Sequence, residues 1–413
     1  MGGMPAPAPA EPPRGRLFLY LLACHAVLLG HQLLYFAGAS PEAAVMAEQA
    51  RELASEEGTL LRPEGREAYL AVAVGAAAER AGWDAGAAIH GLELAAAHAL
   101  LLILLLASSG DAVGRPFWTR LVAGFLLACS PLAAISSNQG LGRALVTACV
   151  LAAVARFTAR ELTLTWDVAL LLVAAMLAGP EALVLGVVVL LWHFASAASS
   201  GELAMPRTWI GPFLIALAVA GMLYAKLLKG GIPMLPAALR PPAGAGAAAA
   251  LLRQQAPALV EFAGLHLAAL SLPIAIALAL MWRWPLVRAA FWFALVGTLL
   301  AVYLGSAAPA GNGGLLLVLC LVLLLAQEGY AWLAQRMAQE GQRTGRVTPV
   351  LIALPLLLGA LTLAHSPEVR ALWAAPPSSA APVEEGPAPA PTLAEGPSPL
   401  PAETPSPAAL TGP

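Results

Sequence analysis

About eleven long apolar runs dominate this chain, most of them long enough to cross a bilayer whose hydrocarbon core is roughly 30 Å thick. In hydrocarbon every backbone N–H and C=O must find a partner within the protein. A run without strand periodicity is therefore read as a spanning helix. Spans fall at residues 17–37, 88–107, 117–135, 141–155, 163–177 and 182–198, then at 208–226, 258–282, 286–305, 315–334 and 348–364. Only 11% of the residues are charged and 59% are hydrophobic, which excludes a water-soluble fold. The expected fold is all-α, a polytopic transmembrane helix bundle.

Several middle spans are short. The links at Ser136 to Gly140 and at Gly179-Pro180-Glu181 read as tight turns between helical hairpins, some of which dip in and return. Arginines set the orientation, because cytoplasmic loops carry the excess of Lys and Arg. Arg14 and Arg16, Arg115, Arg156 and Arg160, Arg207, Arg283 and Arg288, and Arg336, Arg343 and Arg346 fall in alternate loops. The turns at residues 136–140, 179–181 and 306–314 hold no Lys or Arg. This register places the N-terminus in the cytoplasm and the C-terminus outside.

Three regions follow: a cytoplasmic segment at residues 1–16, a transmembrane domain at 17–364, and a tail at 365–413. The tail is rich in Pro, Ala and Glu and lacks the large apolar residues needed to form a core. Two external loops stand out by length, at residues 38–87 and 227–257. The first carries two helical segments, near 41–52 and 68–82. The four cysteines, Cys24, Cys129, Cys149 and Cys320, all lie in apolar runs without metal-ligand spacing and read as small core residues. No basic stripe with interleaved aromatics occurs, which sets nucleic acid aside as a partner.

Ionisable residues near a membrane carry the functional information, since burying them in lipid is unfavourable. Glu42 and Glu48 lie just past the first span, and Glu181 lies in an external turn. Glu42 stands where a general base for a hydroxyl acceptor belongs, open to water and to headgroups. It also stands in the first turn of a helix opened by Ser40-Pro41, where a carboxylate complements the helix dipole. Lys226, Lys229 and Arg240 flank the second loop, where basic side chains can hold a lipid phosphate. Lys226 reads equally well as a residue snorkelling from a helix end. His90, Glu93 and His98 share one arc of a span and read as hydrogen-bonded packing, with no matching cluster on a second helix. His25 and His31 point to different faces of theirs.

The stretch Ser40-Pro41-Glu42 leading into an Ala- and Leu-rich helix, the later Tyr69-Leu70 with Gly82-Trp83-Asp84, and Gly179-Pro180-Glu181-Ala182-Leu183 resemble the C-type glycosyltransferase superfamily. The likeness is mainly one of layout and covers roughly residues 15–305. Three features depart from the family pattern: a Glu where Asp is usual, Gly179 where a basic residue precedes the Pro, and a low-complexity tail where many relatives carry a folded domain. The resemblance implies a membrane enzyme that moves a sugar from a polyprenyl-phosphate donor to an acceptor on the external face. Glu42 would be the base, and Glu48, Glu181, Lys226, Lys229 and Arg240 would bind substrate. It names no obligatory cofactor and leaves room for a divalent metal ion. Its partners are the lipid-linked donor and membrane lipids, and the bias towards Ala, Gly, Pro and Arg suggests a bacterial inner membrane. A transporter or flippase, and a non-catalytic membrane scaffold, are the competing readings.

Overall fold

A computed structural model describes residues 14–34, 41–55, 69–107, 122–139, 142–160, 162–179, 181–201, 205–227, 268–304, 313–339 and 357. Among them every regular element is helical, and thirteen helices are present. They are α1 (Arg14–Leu34), α2 (Pro41–Ser55), α3 (Tyr69–Arg80), α4 (Ala85–Leu106), α5 (Val122–Ala128), α6 (Pro131–Asn138) and α7 (Arg143–Ala159). Then follow α8 (Trp166–Ala178), α9 (Glu181–Ser200), α10 (Arg207–Leu227), α11 (Ala268–Leu280), α12 (Pro285–Leu304) and α13 (Gly313–Gln339). The expected span at residues 348–364, the loop at 227–257 beyond Leu227 and the tail at 365–413 lie outside the described residues.

Three of these helices are long and apolar enough to cross a membrane: Ala85–Leu106, Ala182–Ser200 and Leu315–Arg336. At 1.5 Å per residue a 22-residue helix reaches about 33 Å, against a hydrocarbon core of about 30 Å. The expected span at residues 163–177 is the 13-residue α8, which at about 20 Å is too short to cross alone. Large apolar side chains face outwards along the bundle, among them Phe18, Leu22 and Leu33 on α1, Leu191 on α9 and Phe213 on α10. An apolar exterior this widespread is unfavourable in water and suits lipid.

Helix α13 is the centre of the bundle. Its apolar window is 94% buried, against 39% for α4 and 33% for α9, and α5, α7, α11 and α12 pack around it. Small residues allow this closeness. At Gly329 the backbone carbonyl of Pro273, within α11, occupies the space a Cβ would need. At Gly297 on α12 a Cβ would stand 3.2 Å from Val318 of α13.

The span expected at residues 117–135 is not one helix. It breaks at Cys129 and Ser130 into α5 and α6, with Pro131 opening α6. Proline has no N–H to donate, and it disfavours the α conformation in the residue before it. Ser130 is accordingly extended, at φ −82° and ψ 123°. The link at residues 136–140 is also shorter than expected, because Ser136, Ser137 and Asn138 complete α6. Tertiary hydrogen bonds hold these turn-prone residues in helical form, as described below.

At one end of the bundle, α7 finishes and α8 and α10 begin. Arg156 on α7 pairs with Asp167 at the start of α8 at 2.8 Å. The carbonyl of Leu164 takes up the space beside Gly211, near the start of α10. Buried His193, near the end of α9, accepts from Leu164 N–H through Nδ1 at 3.1 Å and donates through Nε2 to Thr208 O at 2.9 Å. A carbonyl only accepts, so Nε2 is the donor and Nδ1 the acceptor. Exposed Trp166 and Trp209 and the arginines Arg156, Arg160 and Arg207 gather at this end.

Candidate functional site

The segment between α1 and α4 folds as a helical hairpin over the start of α4. Helices α2 and α3 cover the expected helical segments of that loop, at Pro41–Ser55 and Tyr69–Arg80. Ala50, Leu53, Ala71, Val72, Ala76, Ala85 and Ile89 form a core separate from that of the main bundle. Gly75 brings α3 close to its neighbours, since a Cβ there would stand 2.9 Å from Ile89 and 3.0 Å from Ala50.

Ionic and capping bonds close the hairpin. Asp84 caps α4, its Oδ1 accepting from Ala87 N–H at 2.7 Å. Glu79 accepts from Ala85 N–H at 3.0 Å. Arg80 donates to the carbonyls of Leu53 and Ala54 at the end of α2, at 3.1 and 3.2 Å. Arg51 reaches Glu48 at 3.1 Å and Asp84 at 3.3 Å. The Ala87 amide, followed by the Arg51 guanidinium, holds the Asp84 carboxyl below the usual carboxylate range. Glu48 and then Asp84 push Arg51 upwards.

Within this frame Glu42 is the second residue of α2, eight positions after the end of α1 and in the first turn that follows Pro41. Glu48 lies further along the same helix, exposed and paired with Arg51. Glu181 opens α9 and Lys226 closes α10, and both, like Glu42, are placed by backbone alone. Lys229 and Arg240 lie outside the described residues. No group of three or more His, Cys, Asp or Glu residues converges among the described residues.

Beneath the hairpin lies a set of polar contacts between the bundle helices. Fully buried Glu93 on α4 caps α7 from a distance, accepting from Ala144 N–H at 2.9 Å and Leu145 N–H at 3.4 Å. Gly142, the residue that precedes α7, has φ +77° and no side chain to do this. His31 on α1 donates through Nδ1 to Ala128 O at 2.8 Å, filling a carbonyl that the α5–α6 break releases from helical pairing. Gln32 donates to Ser137 Oγ at 3.0 Å, and Asn138 donates to the Gln32 carbonyl at 2.7 Å. Adjacent residues of α1 thus reach the end of α5 and the end of α6.

His98 meets a partner that helical spacing could not reveal. Its Nδ1 lies 2.8 Å from Nδ1 of His25 on α1, with ring centroids 5.0 Å apart. One ring must donate and the other accept. His25 and His31 do face different neighbours, α4 and α5, as their spacing requires. The only signal in the sequence for these contacts is a high density of polar groups in α1 and its neighbours. Compared with protein-family models, with curated proteins and with solved structures, the chain matches none.

Proposed function

We propose that this chain is an integral membrane glycosyltransferase of a bacterial inner membrane. It crosses the bilayer about eleven times, with its N-terminus in the cytoplasm and its C-terminus outside. It moves a sugar from a polyprenyl-phosphate donor to a hydroxyl acceptor on the external face. The observation that carries this reading is the place of Glu42, in the first turn of a helical hairpin clamped over the start of α4, eight residues beyond α1. The gathering of Arg156, Arg160 and Arg207 with exposed Trp166 and Trp209 at one end supports the orientation, since Trp marks a membrane interface and an excess of Arg marks its cytoplasmic side.

In the reaction, the Glu42 carboxylate takes the proton of the acceptor hydroxyl as the acceptor oxygen attacks the anomeric carbon. The bond from that carbon to the phosphate oxygen breaks, and polyprenyl phosphate leaves with the electron pair. Lys226, Lys229 and Arg240 balance the charge on the phosphate, while Glu48 and Glu181 accept from sugar hydroxyls. A divalent ion on the phosphate is compatible with this scheme, and chelation tests for it directly.

The test is transfer of labelled sugar from a panel of polyprenyl-phosphate sugars in proteoliposomes. Glu42→Gln removes the base and keeps the shape, with an expected loss of about 10²- to 10⁴-fold. Unchanged activity in the variant would clear Glu42. A second reading, transport of a lipid or solute, is favoured by the discontinuous α5–α6 helix, since transporters place broken helices at their substrate sites. Passage of the labelled lipid across the bilayer without sugar transfer would select it.

A further inference from the structure

Two histidines that serve no backbone group lie near the middle of α1 and α4. His25 is the twelfth of the 21 residues of α1, and His98 the fourteenth of the 22 of α4. At 1.5 Å per residue, each stands more than about 10 Å from either end of its helix. Their Nδ1 atoms bond to each other at 2.8 Å, which leaves each ring one further nitrogen. Neither Nε2 has a partner among the described residues, and neither is sealed from the surface of the bundle. The neighbours at helical spacing are exposed: Leu22 and Leu29 beside His25, Ala95 and Leu102 beside His98. The pair therefore lies on an outward face, at a depth where hydrocarbon replaces water.

The shared bond fixes what this face offers. One Nδ1 carries a proton and the other does not, so in the neutral pair the first ring has a bare Nε2 and the second an Nε2–H. Hydrocarbon favours that neutral form. Each chain thus presents one acceptor and one donor to the bilayer interior, where an unpaired polar group is costly. A lipid headgroup lies too far along the helix axis to serve them. No third His, Cys, Asp or Glu joins them among the described residues, too few ligands for a closed metal site. What fits is another helix surface with a donor and an acceptor at the same depth. Two copies inserted in one orientation are related by a two-fold axis along the membrane normal, which brings like residues to equal depth. Donor then meets acceptor twice.

We propose that the α1–α4 face is a homodimer interface within the bilayer, centred on the His25–His98 pair of each copy. Interhelical hydrogen bonds between polar residues, and close approach at small ones, are the forces that associate helices in lipid. Gly91 and Ala95, one turn apart on α4, offer that approach: both are exposed, and a Cβ at Gly91 would meet nothing within 4 Å. The inference needs α1 and α4 to lie in the membrane and is independent of the transferase reading.

The test places the full chain, labelled at its C-terminus with donor or acceptor dye, in liposomes over a range of dilutions in lipid. Energy transfer should fall with dilution as a monomer–dimer equilibrium. His98→Phe keeps a ring and removes both nitrogens, and should move the midpoint to about tenfold higher protein density, the scale of two interhelical hydrogen bonds. Gly91→Leu should move it in the same direction. Its side chain enters open space in the monomer, so this variant decides the matter if His98→Phe does not fold. A short bismaleimide should join copies carrying Leu102→Cys and not those carrying Leu191→Cys, on the exposed face of α9. Monomers at every density, a midpoint that the deciding variant leaves in place, or linkage through position 191 instead of 102 would overturn the interface and assign this face to lipid or to a different chain.

Discussion

The α2–α3 hairpin and the bundle interior use polar side chains in opposite ways. Over the start of α4, charged groups pair with one another in contact with water, as Arg51 does with Glu48 and Asp84. Inside the bundle the described polar side chains chiefly satisfy backbone groups at helix breaks and ends. Glu93 serves the start of α7, His31 the freed Ala128 carbonyl, and His193 both Leu164 and Thr208. The lesson is one of solvent: where water is absent, an unpaired backbone group is the larger penalty, and scarce polar residues go to it first.

Substitutions can break that contrast, and the largest effect belongs to the centre. Gly329→Leu forces a side chain into the Pro273 carbonyl and should destabilise the bundle by more than about 3 kcal/mol, read as loss of monodisperse protein in detergent. Next comes Glu93→Ala, which strips two amides of their acceptor and should lower stability by about 3 kcal/mol. Glu93→Gln keeps one acceptor and should lose less than half of that, measured by thermal unfolding of the two variants side by side. His31→Phe leaves the Ala128 carbonyl bare and should lower stability by about 1–3 kcal/mol in the same assay.

The smallest effect is expected in the hairpin, and it depends on pH. Asp84 has a lowered carboxyl pKa, so its contribution is complete above the ordinary value of about 3.9 and is lost as pH falls through the lowered one. Spin labels at Ala44 and Gly91, both exposed, should report a constant distance from neutral pH down to about 4 and a broadened one below it. Asp84→Asn keeps a capping oxygen and should flatten that dependence. A hairpin that opened at neutral pH in high salt alone would show that its ionic contacts outweigh its apolar core.

Much of this architecture is legible in the residues, and what is not has physical causes. Hydropathy locates α1, α4, α9 and α13, because each is a long run with one environment throughout. Apolar periodicity locates α2 and α3 to within a few residues, since each has one face on a core and one in water. The break at Ser130-Pro131 is written plainly as an N-cap residue followed by proline. An average over the apolar run hides it. Ser137 and Asn138 are helical for another reason: their turn-forming tendency is overridden by bonds to Gln32, more than a hundred residues away.

The candidate site was less legible than the fold. Glu93 stands one helical turn from His90, which groups it with that histidine, yet its partners lie 51 and 52 residues on, at the start of another helix. His98 found its partner on α1, and no pattern along a single chain reports which helices will touch. Glu42 was singled out for its distance from the first span, and its position in the first turn of α2 follows from Pro41.

The depth at which α13 is enclosed bears on how the molecule is assembled. A helix that follows twelve others among the described residues, and packs against α5, α7, α11 and α12, does not fit on the outside of a finished bundle. The earlier helices must stay apart, or part again, until it arrives. A chain halted before residue 313 would therefore present to lipid, or to a chaperone, the groove that α13 later fills.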